Sequence, residues 1–146
     1  MFGRRGFTLV EMMVVVVLGA ILTQMAVKGF GDVWSDIQAR EAVGVFQGMV
    51  SRTRAQAIES GIPTMLLADL AGDSAMVFAN GRIAETVRFG ELGVDIQAAG
   101  GNIRICMTPR GFANPNCNSF DSPLKIAFVR GNEADTLEIL PLGQMR

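Results

Sequence analysis

Between residues 7 and 27 the chain carries one charged side chain, Glu11, and between residues 12 and 22 it carries none. About twenty helical residues, at about 1.5 Å each, cross the hydrocarbon core of a bilayer, so this stretch is long enough to span one. It also accounts for the composition. The 146 residues are 49% hydrophobic with a mean hydropathy of +0.33, and that excess sits at the N-terminus. From Asp32 onward the mixture is that of an ordinary water-soluble domain. Arg4 and Arg5 stand just before the span, and the positive-inside rule keeps them cytoplasmic and places the C-terminal part across the membrane.

Glu11 is the oddity in this run. A carboxylate within an apolar helix costs about 2.5–3.5 kcal/mol on insertion scales, so it needs a partner or a purpose. One reading places it at the interface, a turn into the span, where it reaches water. The other depends on a cut between Gly6 and Phe7. That cut makes a new amine at Phe7, at the depth of a neighbouring chain's Glu11. Two staggered helices then pair amine with carboxylate in low dielectric, which sets the register between subunits.

The residues Gly6-Phe7-Thr8-Leu9-Val10-Glu11, after a short basic leader and before a long apolar run, resemble the prepilin-peptidase signature of type IV pilins and type II secretion pseudopilins. The resemblance covers about the first thirty residues. It implies a membrane peptidase that cuts after Gly6 and methylates the Phe7 amine, and a Glu11 that contacts a neighbour's N-terminus. Other readings account for less. A secretory signal needs small residues after the apolar run, and Gln24-Met25-Ala26 is a poor cleavage site. A twin-arginine signal built on Arg4-Arg5 lacks the same site. A plain anchor explains the length but not Gly6 and Glu11 together.

No proline precedes Pro63, which permits one helix from Phe7 to Ser60, about 80 Å long at 1.5 Å per residue. In its second half Val43, Phe46, Val50, Thr53 and Ala57 recur at three- and four-residue steps, an amphipathic stripe that packs on the following domain. Asp36 and Arg40 stand four apart, acid first, as on a solvent face. Gly29 and Gly31 each weaken a helix by about 1 kcal/mol relative to alanine and mark a bend or a stretch that melts on assembly. Residue 28 is Lys, so the proline kink of many pilins is not available.

Gly61-Ile62-Pro63 ends the helix, and short apolar runs then alternate with turn signals. Strands are expected at Thr64–Asp69, Ala75–Ala79, Arg82–Phe89, Val94–Gln97, Ile103–Met107, Leu124–Val129 and Thr136–Leu140. The turns between them fall at Gly72-Asp73, Asn80-Gly81, Gly100-Gly101 and Gly131-Asn132, with Asn80-Gly81 the best two-residue hairpin. The fold class is α+β: a long N-terminal helix, transmembrane then amphipathic, packed on a small antiparallel β-sheet domain. The divisions are a leader (1–6), an assembly half of the helix (7–30), an amphipathic half (31–60) and a periplasmic sheet domain (61–146).

Cys106 and Cys117 enclose ten residues that include Pro109, Gly111, Asn114, Pro115 and Asn116. The pair suits a disulfide-closed loop in an oxidising compartment, or else is two free thiols; the outward topology of the domain favours the disulfide. The stretch Arg52-Thr53-Arg54-Ala55-Gln56-Ala57-Ile58, the strand after Gly61 and the cysteine loop resemble the GspH/FimT group of minor pseudopilins. Some members of that group bind DNA through a C-terminal Gly-Arg-x-Arg pattern. Here the chain ends Gly143-Gln144-Met145-Arg146, with Gln in place of the first arginine. Arg104, Arg130 and Arg146 are the candidate DNA contacts, within a wider set of Arg82, Arg88 and Arg110 that forms a basic face only if the sheet gathers them.

There is no histidine, which removes the commonest general base and metal ligand together, and no glycine-rich phosphate loop. Glu133, Asp135 and Glu138, like Asp69 and Asp73, lack the ligand spacing of a calcium loop and read as solvated carboxylates. Side-chain charge is −1, from 13 basic and 14 acidic residues, and −3 without Arg4 and Arg5. No enzyme, cofactor or metal is expected. The expected function is a minor pseudopilin of a type II secretion pseudopilus, anchored in the bacterial inner membrane with its C-terminal domain in the periplasm. The alternative is a minor type IV pilin that binds DNA. Partners are other pilins, the prepilin peptidase and the membrane.

Overall fold

The computed structural model describes residues 8–146, with the side chains of residues 27–30 and 32 left aside. The chain divides into two compact units, Met1–Trp34 and Ser35–Arg146. One helix, α1 (Leu9–Ser60), runs unbroken through positions 29 and 31. It stops where Gly61 takes φ 65°. A left-handed residue there is the usual end of a helix, because glycine adopts it without strain. The Ser60 hydroxyl closes the last turn by donating to Gln56 O and accepting from Ile62 N–H.

In the first unit, the segment Leu9–Ala26 has a mean hydropathy of 2.1 and no buried side chain, and is long and apolar enough to cross a membrane. Its one hydroxyl is answered locally. The Thr23 hydroxyl donates to Gly19 O at 2.8 Å, so it adds no unsatisfied donor to an apolar surface.

In the second unit, α1 buries Ala39, Ala42, Val43, Phe46, Met49, Val50, Thr53 and Ala57, which include all five residues of the sequence stripe. The opposite face is polar and carries the Arg40–Asp36 ion pair at 3.0 Å. Seven strands follow: β1 (Thr64–Asp69), β2 (Ser74–Ala79), β3 (Arg82–Arg88), β4 (Asp95–Ala98), β5 (Ile103–Met107), β6 (Leu124–Arg130) and β7 (Glu133–Ile139). They form two antiparallel sheets rather than one, ordered β3-β2-β1-β5 and β4-β6-β7.

Most expected strand ends fall within one residue of those observed, and two of the shifts have a clear local cause. Phe89 leaves β3 for a 3-10 turn, Phe89–Leu92, because its N–H and that of Gly90 both turn back to Asp73 O. Its ring then enters the core. β7 begins three residues earlier than alternation suggests, because the tight Gly131-Asn132 turn holds Arg130 opposite Glu133. The Asn80-Gly81 hairpin has φ 52° and 72° at its two turn residues, the pairing that matches strand twist.

One core joins the helix to both sheets. At its centre lie Phe46 of α1, Phe89 of the 3-10 turn and Phe128 of β6, with ring centroids 5.5–6.4 Å apart and tilted planes. Tilted contacts of this kind are worth about 0.5–1.5 kcal/mol beyond the area they bury. A buried polar tie crosses from sheet to helix. The Thr64 hydroxyl donates to Thr53 O at 2.7 Å, and the Thr53 hydroxyl to Met49 O.

Candidate functional site

Gly6 and Phe7 lie outside the described residues. The site begins at Thr8, which caps α1. The Thr8 hydroxyl accepts from Glu11 N–H at 3.2 Å, and Glu11 Oε2 accepts from the Thr8 N–H at 3.0 Å and from the Thr8 hydroxyl at 3.1 Å. This reciprocal arrangement is a capping box, in which two otherwise orphaned helix-start donors are satisfied. The sequence carried its signal, Thr followed three residues later by Glu before an apolar run, but the reading of Glu11 as an intermolecular partner passed over it. A carboxylate in the first turn is also favoured by the helix dipole. Glu11 is thus satisfied within its own chain by one oxygen, and its Oε1 has no partner among the described residues. Beyond it, Leu9, Val10, Met12 and Met13 through Leu18 stay exposed.

Cys106 and Cys117 are joined as a disulfide, with Cα atoms 5.8 Å apart. The loop they close lies along β5. Cys106 O accepts from Asn114 N–H, Arg104 O from Ser119 N–H, and the Cys106 N–H donates to Asn118 Oδ1. The outer edge of β5 is thereby satisfied by the chain's own loop rather than left open to pairing. The loop also holds the C-terminus. Asn118 Nδ2 donates to Pro141 O, the Ala113 N–H to Leu142 O, and Arg54 Nη2 reaches Gly143 O at 2.5 Å. A Cβ at Gly143 would stand 3.0 Å from Ala113 Cβ and 3.3 Å from Arg54 Nη2, so this close fit requires glycine.

The three arginines singled out for DNA are not brought together. Arg146 pairs with Glu138 at 2.7 Å, and main-chain bonds run both ways between the same two residues. The pairing lowers the Glu138 carboxyl below its ordinary range and raises the Arg146 guanidinium, in each case chiefly through the hydrogen bond. Arg130 lies at the opposite end of the β6–β7 hairpin, where it donates to Leu92 O. Arg104 stands on β5 of the other sheet. Of the acidic groups, Asp69 accepts from Ala71 N–H, Asp73 from Ile96 N–H and Asp135 from Thr136 N–H. No three of them converge as a metal site among the described residues. A groove of about 400 Å³ beside β3 has the two-pronged Arg52–Glu85 ion pair along its wall, at 2.6 and 3.0 Å. Both charges are spent on each other.

Residues 1–27 match the family model described as the prokaryotic N-terminal methylation motif. Two crystal forms of the type IV minor pilin FimU of Pseudomonas aeruginosa share the fold. One aligns with a TM-score of 0.53 at 15% identity over 74% of this chain and 86% of that one. The other aligns with a TM-score of 0.54 at 14% identity over 73% and 90%. The fold is type IV pilin-like. No curated protein matches its sequence. The pilin-like chain therefore joins a methylation-motif N-terminus to a pilin fold, and its sheet domain shares an architecture with FimU at a level of identity that leaves the surfaces its own.

Proposed function

We propose that this chain is a minor subunit of a type IV filament, made as a precursor, cut between Gly6 and Phe7 and methylated on the Phe7 amine. It sits in the bacterial inner membrane through the apolar part of α1, with Ser35–Arg146 in the periplasm, and enters a filament by packing that helix against those of other pilins. The observation that carries the proposal is Glu11 at the start of a span none of whose side chains is buried among the described residues. One carboxylate oxygen caps its own helix, and the other, without a partner among the described residues, would meet a neighbour's Phe7 amine. The register argument thus needs no break in the cap.

Likeness to FimU supports a type IV pilus as the destination, while the Arg52–Ile58 segment and the cysteine loop resemble the GspH/FimT group, which serves either destination. Assembly, rather than DNA capture, is the work proposed. Ser35–Arg146 holds ten basic against twelve acidic residues, and Arg146 is paired. A deletion strain scored in parallel for surface pili, DNA uptake and release of secreted proteins tests the destination. Lost piliation with intact secretion supports the pilus; lost secretion with intact pili moves the subunit to the pseudopilus. Binding of the chain to duplex DNA with a steep salt dependence would reinstate DNA capture.

A further inference from the structure

Trp34 is the only tryptophan of the chain and the last residue of the first unit, where its side chain is 61% exposed. Val33 beside it is 58% exposed. Both belong to α1, which runs on unbroken from the apolar segment Leu9–Ala26. A single exposed apolar side chain asks for no explanation by itself. Its height along a helix that leaves a membrane does.

The 18 residues of Leu9–Ala26 rise about 27 Å, close to the ~30 Å of a hydrocarbon core. Trp34 comes eight residues after Ala26, about 12 Å further along the axis. From Glu11 to Trp34 the rise is about 35 Å, less than the ~40–45 Å of a bilayer with its two headgroup layers. Both residues therefore fit within one bilayer, Glu11 toward one face and Trp34 toward the other. Helical side chains lean toward the N-terminus of their own helix, which at Trp34 is back toward the span. The indole has an apolar body and one N–H donor, and tryptophan is enriched in the headgroup layer because that layer satisfies both. Charge does not draw the segment there. Between Ala26 and Trp34 the sequence has one cation, Lys28, and one anion, Asp32. The contact needs no anionic lipid.

We propose that Trp34, with Val33, docks on the headgroup layer of the bilayer that α1 spans and fixes the depth of the helix before the chain joins a filament. An apolar run alone sets no depth, since neighbouring positions along it are equivalent to lipid. The inference rests on the membrane reading above. The full-length chain, reconstituted alone in phosphatidylcholine vesicles, gives one tryptophan signal. Lipid spin-labelled on its headgroup is expected to quench that signal at least about twofold more than lipid labelled at the end of its acyl chain. Val33→Asp, which sets a charge beside the ring at an exposed position, should weaken headgroup quenching about twofold with helicity by circular dichroism unchanged; Val33→Leu should keep it. A vesicle-bound chain whose Trp34 emits as in water overturns the docking, and so does one whose emission is shifted to the blue yet indifferent to both labels, since protein then covers the ring. Failure of the chain to float with the vesicles overturns the membrane reading itself.

Discussion

At the scale of single residues, the groups that define the two ends of the chain are those with reciprocal partners. Thr8 and Glu11 satisfy each other at the start of α1, and loss of a threonine cap costs about 1 kcal/mol. Thr8→Ala is therefore expected to raise hydrogen exchange of the first-turn amides about fivefold in detergent, while Glu11→Gln, which keeps an acceptor for the cap, should leave exchange nearly unchanged. Glu11→Gln should nevertheless impair filament incorporation, because the proposed register needs its charge for a neighbour's amine; normal incorporation would contradict the register argument. At the other end, Arg146 holds the Glu138 carboxyl below its ordinary range. A depressed carboxyl contributes stability that is present above its unfolded pKa and is lost as pH falls through the folded one. Arg146→Gln should move the Glu138 titration to higher pH in an NMR pH series, and with it the onset of acid unfolding. Glu11 and the cysteine pair were visible as candidates in the sequence. The Arg54–Gly143 contact was not, since those residues are 89 positions apart and no local pattern links them.

At the scale of elements, the chain is most legible where burial is periodic. The stripe from Val43 to Ala57 recurs at helical steps because each member faces the same sheets, and apolar runs set between turn signals located all seven strands. Asn80-Gly81 was legible for a stereochemical reason: both turn residues take positive φ, which few other pairs accept. Gly81→Ala, at φ 72°, is expected to destabilise by about 1 kcal/mol, read as a lower urea midpoint at constant m-value. What the pattern could not supply was the partition of strands between sheets. β5 returns to lie beside β1, and β4 crosses to β6, pairings settled by long-range packing around Phe46, Phe89 and Phe128. The end of β3 was misplaced for the same reason, since Phe89 reads as a strand residue until Asp73 O draws its N–H into a turn. Alternation along β1 and β2 also gave no warning that their outward faces are apolar, because a run such as Met65-Leu66-Leu67-Ala68 has no polar member to reveal a face.

At the scale of the whole molecule, the unit Ser35–Arg146 has one core, built from the second half of α1 and both sheets. The domain closes one edge of each sheet with its own chain: the cysteine loop along β5, and the C-terminal residues along β7, where Glu138 and Arg146 exchange main-chain bonds. Joint replacement Cys106→Ser and Cys117→Ser should cost about 3 kcal/mol in the chain-entropy picture of a short closed loop, and should loosen residues 141–146 with it, since Asn118 and Ala113 hold both. The central claim concerns the other end. The proposed filament role turns on what is done to residues 1–7 before assembly, and the direct test is mass spectrometry of the N-terminal peptide from the chain purified out of its native membrane. The account predicts a mature chain that begins at Phe7 with one added methyl group on its amine and has lost Met1 to Gly6. An intact Met1, or a cut beyond the apolar segment after Ala26, would contradict it.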